Sequence, residues 1–130
     1  MVLVDTSVWI DVFRPDGLVL EHYVPFDEVA TCLPIIQEVL QGFRREDAFR
    51  KAYTSLFALP LLEAPLEADL FVHAAQLYRT GRSAGFTIRS SVDCLIAACA
   101  IRHGIQVLHN DRDFDAIAKF SPLEARNVVM

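Results

Sequence analysis

Several things are missing from this chain, and each absence closes off a class of protein. No apolar run reaches the ~18 residues needed to cross a bilayer. The first apolar residues, Val2-Leu3-Val4, are interrupted at once by Asp5 and carry no basic leader, so no secretory signal is expected and the reading is a soluble, cytoplasmic protein without a membrane partner. Cysteine is scarce: Cys32, Cys94 and Cys99 form no CxxC pair and leave an odd thiol. They are expected as buried thiols in a reducing compartment. His22, His73, His103 and His109 show no ligand spacing with them, which argues against a Cys/His zinc site. Basic charge is also in deficit, with 12 Lys and Arg against 17 Asp and Glu and a net charge of −5. That is the wrong sign for holding nucleic acid by charge alone, although bound divalent cations reverse a local sign. There is no GxSxG elbow, no P-loop GxxxxGK[ST], no GxGxxG and no Cys/His nucleophile pair.

What remains is a chain of 130 residues, 53% hydrophobic and 22% charged, expected to form a single domain over residues 1–130 with a substantial core. Its opening organises the rest. Val2-Leu3-Val4 reads as a strand buried on both faces, and Thr6 or Ser7 is the expected N-cap of a helix with Val8, Trp9, Val12 and Phe13 at helical spacing. Arg14-Pro15-Asp16-Gly17 is a turn, and a short helix is expected from about Leu18 to Tyr23. Glu28–Cys32 reads as a second, half-buried strand, and Leu33-Pro34 opens a helix that carries Glu38. A helix over Glu46–Phe57 should turn Phe49, Tyr53, Leu56 and Phe57 to one side. Leu59–Glu63 reads as a short strand, and Leu66 to about Arg79 as a helix stopped by Gly81. Ser91–His103 is the most apolar helix, closed by Gly104. Ile105–Leu108 is a strand, a last helix runs from about Asn110 to Lys119, and the tail from Ser121 is expected to add an edge strand. Alternation of strands and helices predicts a three-layer α/β/α domain with a mainly parallel sheet, whose strand carboxyl ends share one rim.

Four acids are expected on that rim. Asp5 and Asp111 each follow a strand directly, Asp93 is expected in the first turn of the Ser91–His103 helix, and Glu38 in the first turn of the helix after the second strand. Each alone reads equally well as a capping or solvated acid; their convergence on one rim is the informative feature. At ~5 Å and an effective dielectric of ~20, each like-charged pair costs about 3 kcal/mol, so protons or hard cations must neutralise such a cluster. Oxygen ligands suit Mg²⁺ or Mn²⁺, and a cation there suits hydrolysis of a phosphodiester. Asp113 is a second-tier ligand, Asp115 is expected to be solvated, and Asp11 is an ordinary helix acid. Ser7 and Asn110 are candidates to orient carboxylates or water, with capping as their ordinary role. Arg82 and Arg89 flank the Asp93 helix and are candidates to touch phosphate. Arg44, Arg45, Arg50 and Lys51 read as a solvated face.

Leu3-Val4-Asp5-Thr6-Ser7-Val8-Trp9-Ile10, the Glu38 helix, Val92-Asp93-Cys94-Leu95-Ile96-Ala97-Ala98 and Asn110-Asp111-Arg112-Asp113-Phe114 together resemble the PIN-domain ribonucleases, and among them the VapC-type toxins of toxin–antitoxin pairs. The resemblance covers the whole chain, with the blocks in order. It implies a PIN-like fold and an Mg²⁺- or Mn²⁺-dependent endoribonuclease with Asp5, Glu38, Asp93 and Asp111 as its acids and Asp113 assisting. It further implies a homodimer, an RNA substrate and a VapB-type antitoxin whose C-terminal segment covers the groove. The family often has Thr or Ser where His109 stands, and coordination, proton transfer and space filling all remain open for that histidine. Two other readings use the same acids: a catalytically silent binding module, and a metal-dependent phosphatase for small esters.

Overall fold

A strand of three apolar residues is stable only when both its faces are covered, and Val2–Val4 (β1) occupies the middle of the sheet for that reason. In the computed structural model, which describes residues 1–129, it leads through Asp5 into α1 (Thr6–Val12). Two short 3₁₀ turns, Leu20–His22 and Phe26–Glu28, precede β2 (Val29–Cys32), which runs directly into α2 (Leu33–Leu40). Then come α3 (Glu46–Phe57), β3 (Leu61–Leu62), α4 (Ala68–Ser83), α5 (Ser91–His103), β4 (Gln106–His109), α6 (Arg112–Phe120) and β5 (Ala125–Asn127). The five strands are ordered β3-β2-β1-β4-β5 and every pairing is parallel. Right-handed crossovers therefore put α1 to α3 on one face and α4 to α6 on the other.

The direction of winding reverses between β1 and β4. The chain first builds outward from β1 through β2 to β3, then returns to lay β4 against the other edge of β1. Val4 pairs with Leu108, so the residues that leave these two central strands emerge side by side. Such a reversal opens a crevice at the strand carboxyl ends.

Most of the predicted elements are present, with instructive shifts. Asp5, not Thr6 or Ser7, caps α1: its extended backbone and its Oδ2, 3.0 Å from the Ser7 N–H, make the cap. Strand β2 is wholly buried rather than half-buried, because it lies between β1 and β3. Gly81 does not stop α4, which continues to Ser83. It is buried against α6, where an added Cβ would lie 2.7 Å from the Phe120 ring. On α3 only Ala52 and Leu56 are buried; Tyr53 and Phe57 remain exposed and pack on each other at 4.8 Å.

Helix α5 is the centre of the core. Asp93, Cys94 and every residue from Ile96 to Ala100 are buried, as expected of a helix that is apolar almost all round. It ends at Gly104, whose φ of +61° is the left-handed conformation that glycine adopts most readily. The three cysteines are buried free thiols, with Cys32 at the end of β2 in side-chain contact with Cys99 of α5. No helix among the described residues is long and apolar enough to cross a membrane.

Candidate metal centre

Two acids are delivered by the same local device. At the ends of the adjacent strands β1 and β4 the chain turns into a helix, and Asp5 and Asp111 serve as the N-caps of α1 and α6. Asp111 Oδ1 accepts the Asp113 N–H at 2.9 Å, as Asp5 Oδ2 accepts that of Ser7. An N-cap satisfies an orphan donor with one oxygen and can leave the other facing outward. Asp5 is further fixed by the Ser7 hydroxyl, which donates to Oδ2 at 2.6 Å and accepts the Asn110 N–H at 2.9 Å. Ser7 thus ties the exit of β1 to the exit of β4.

The third acid comes from the buried helix. Asp93 is the third residue of α5, and its carboxylate comes within 4.8 Å of those of Asp111 and Asp113. Asp113 holds this arrangement together. Its Oδ2 accepts the backbone N–H groups of Arg89 and Ser90 at 3.0 and 3.2 Å, and its Oδ1 accepts Arg89 Nε at 3.4 Å. Ser90 makes no side-chain cap of its own, so the turn entering α5 is held by a carboxylate from α6. Arg89 Nη2 also donates to Asp111 Oδ1 at 3.2 Å. One guanidinium therefore neutralises part of the charge on both α6 acids.

The electrostatics are those of a site built for an added cation. Asp5 is 2% exposed and Asp93 5%. Burial raises the Asp5 carboxyl above its ordinary range against the lowering effect of the Ser7 bonds, and the charge of Glu38 adds to the rise. Asp93 is pushed up to about 9, first by burial and then by the charges of Asp5, Asp111 and Asp113. Neither Asp5 Oδ1 nor Asp93 Oδ2, both buried, meets a donor among the described residues. Buried acceptors without partners are rare in folded proteins. A hard divalent cation would satisfy them and relieve the repulsion at once, so the donor set fits such an ion.

Glu38 stands in the second turn of α2, not the first. It reaches the site through Thr6, whose hydroxyl donates to Glu38 Oε1 at 2.9 Å, and its charge is felt by Asp5. It does not share the tight Asp93–Asp111–Asp113 group. Glu38 also lines an apolar groove of about 300 Å³ together with Leu33, Leu66, Phe71, Val92 and Leu95.

His109 is fully buried against Phe114, and burial depresses its pKa. Its Nδ1 accepts the Asp111 N–H at 3.1 Å, which leaves the proton of the neutral ring on Nε2, 3.3 Å from Asp115 Oδ1. The ring is thereby a strut under Asp111. Asp115 is not a freely solvated acid: it lies beside His109 and accepts from Asn127 Nδ2 at 3.3 Å, while His109 Nε2 itself meets no hydrogen-bond partner among the described residues. Arg82 lies over the Tyr78 ring, and Asp11 pairs loosely with Arg14. Sequence reasoning missed the Thr6 contact and the Arg89 clasp. The first had no signal beyond a hydroxyl beside Asp5; the second was signalled only as a basic residue near the Asp93 helix.

Comparison with known proteins gives the family. The PIN domain family model matches residues 2–120. Ribonuclease VapC11 of Mycobacterium tuberculosis is 40% identical over 131 residues, covering 96% of this chain and 97% of the relative. Among solved structures, VapBC-5 from Mycobacterium tuberculosis, a member of the VapBC family of toxin-antitoxin systems, superposes with a TM-score of 0.68 at 25% identity, covering 97% of each chain. VapBC-1 from nontypeable Haemophilus influenzae gives a TM-score of 0.74 at 17% identity over 100% of both chains, a likeness of fold. With its acids gathered at the β1–β4 crevice and these relatives spanning nearly its full length, the chain belongs to the PIN-domain family and, within it, to the VapC ribonucleases.

Proposed function

We propose that this protein is a divalent-metal-dependent endoribonuclease, the toxin of a toxin–antitoxin pair. The observation that carries the reading is the packing of Asp93, Asp111 and Asp113 within 4.8 Å, beside two buried carboxylate oxygens without donors. Asp5, Asp93 and Asp111 would hold Mg²⁺ or Mn²⁺, with Asp113 and Glu38 close by. When bound, such a cation lowers the pKa of a water and stabilises charge on the phosphoryl oxygens. Glu38 has one oxygen held by Thr6, which leaves the other to orient or accept a proton from an attacking water. Ser7 and Asn110 fix the rotamer of Asp5, and Asp113 fixes the start of α5 and with it Asp93. The partner reading is a second copy of this chain and an antitoxin whose apolar side chains occupy the groove leading to Glu38.

The test is cleavage of single-stranded RNA with Mg²⁺ or Mn²⁺, against EDTA and against Asp93→Asn. Cleavage is expected to stop in both controls, and activity surviving both would end the proposal. Turnover of aryl phosphates with indifference to RNA would point to the small-ester phosphatase instead. Absence of all hydrolysis, with tight binding of a partner peptide, would point to the silent module.

A further inference from the structure

Beside the acidic centre lies a second feature that the hydrolytic chemistry does not use. A notch of about 310 Å³ opens next to Asp113, lined by Thr87, Arg89, Arg112, Asp113 and Ala116. It is the reverse of the centre in sign, since two arginines face it. Arg89 commits Nε and one contact of Nη2 to the acids. A guanidinium has five N–H donors, and the Arg89 side chain is 52% exposed, so the remaining donors are free to meet a ligand. Arg112 is exposed and forms no ion pair among the described residues. It is also the first residue of α6, where the helix dipole opposes a cation. An exposed arginine left unpaired beside the notch is available to an external anion.

We propose that this notch is a phosphate subsite, in which Arg112 and the outer edge of Arg89 hold a backbone phosphate of the RNA strand next to the one cut at the acidic centre. The proposal rests on the endoribonuclease reading. Asp113 belongs to both places: it touches the acidic cluster on one side and lines the notch on the other, so a strand seated in the notch runs on to the acids. The arrangement also accounts for how a chain of net charge −5 engages a polyanion. The acids anchor Arg89 rigidly, and a guanidinium so held loses little freedom when it takes a phosphate. Phosphate contacts of this kind set register on the strand and carry no base preference.

The experiment measures binding of a short fluorescein-labelled single-stranded RNA by anisotropy, with Mg²⁺ present, across a salt series. Asp5→Asn is the background, so that the strand stays intact. Adding Arg112→Ala is expected to weaken binding roughly tenfold and to reduce the salt slope by about 0.7–1, as for one lost phosphate contact. Arg112→Lys should restore the slope and only part of the affinity. Mn²⁺ binding to the otherwise native Arg112→Ala protein, read by titration calorimetry, should not weaken, because Arg112 forms no ion pair with the acids. An unchanged affinity and slope in Arg112→Ala, while the background protein binds RNA, would overturn the subsite alone. So would Arg112-dependent binding of inorganic phosphate with RNA binding unaffected. Failure of the native protein to bind or cut RNA at all would instead overturn the endoribonuclease reading, and the subsite with it.

Discussion

Ser7 carries more of the site than its size indicates. Its hydroxyl gives Asp5 a short charge-assisted hydrogen bond at 2.6 Å and accepts the Asn110 N–H at 2.9 Å, so one atom fixes the first acid and joins the two strand exits. Ser7→Ala removes both contacts while the backbone cap from the Ser7 N–H survives. The expected cost is about 1–2 kcal/mol of stability by urea unfolding. Cleavage should show a roughly tenfold lower kcat, because a carboxylate free to rotate is a misplaced ligand, with KM for RNA little changed. Ser7→Thr, which keeps the hydroxyl, should recover most of the loss. Asp5, Asp93 and Asp111 are legible from sequence because a strand end or a first helical turn fixes where such a side chain begins. The contacts that steer them are not, since Thr6 to Glu38 and Arg89 to Asp111 span 32 and 22 residues. No local period encodes a hydrogen bond between elements whose packing is still undetermined.

At the level of the element, the packing of α4 against α6 depends on a missing side chain. Gly81 lies inside α4 with the Phe120 ring where its Cβ would be, at 2.7 Å from Cζ and 2.9 Å from Cε2. Gly81→Ala raises helix propensity by about 1 kcal/mol, yet it drives a methyl into an aromatic ring also packed on Phe86 at 5.5 Å. Overpacking of this kind costs about 1–3 kcal/mol, so the variant is expected to be less stable than the native chain by thermal melting. Phe120→Leu combined with Gly81→Ala should recover part of the loss, and the pair should be non-additive. The same glycine makes the end of α4 illegible from sequence, since the helix runs on to Ser83. Glycine after a helical run is an ordinary stop signal, and only a partner from a distant helix distinguishes a stop from a close approach. The exposed ends of α3 have the same origin: Phe49, Tyr53, Leu56 and Phe57 make a stripe wide enough to cover a face, but the neighbours bury only Ala52 and Leu56. Elements bounded by strong local signals, such as α5 from Ser91 to Gly104, came through intact.

For the molecule as a whole, the acidic centre trades stability against readiness to bind a cation, and pH exposes the trade. Asp93 has an ordinary pKa of 3.8 when unfolded and is pushed up to about 9 in the fold, and Asp5 moves in the same direction. Between those values the native state keeps a proton that the unfolded chain has released. Stability from this source is therefore complete below pH 3.8 and declines as pH rises toward 9, by at most about 1.4 kcal/mol per unit for each proton. The metal-free protein is expected to melt at a higher temperature at pH 5.5 than at pH 8.5. Excess Mn²⁺ binds only the deprotonated native form and stabilises it by mass action, so its effect on Tm should grow with pH and flatten or reverse the slope. Asp93→Asn removes the main titrating group. It should melt above the native protein when both are metal-free at pH 8.5, show a shallower pH dependence, gain little from Mn²⁺ and lose RNA cleavage. The gain follows because asparagine no longer has to hold, at pH 8.5, a proton that the unfolded chain has released, and the loss of cleavage follows because the ionised carboxylate is what draws the cation. A calorimetric scan of both proteins at the two pH values, with EDTA and with Mn²⁺, checks this: a metal-free native protein that loses no stability relative to Asp93→Asn from pH 5.5 to 8.5, a difference from which the buried His109 cancels, would show that Asp93 is already ionised in the fold at pH 5.5.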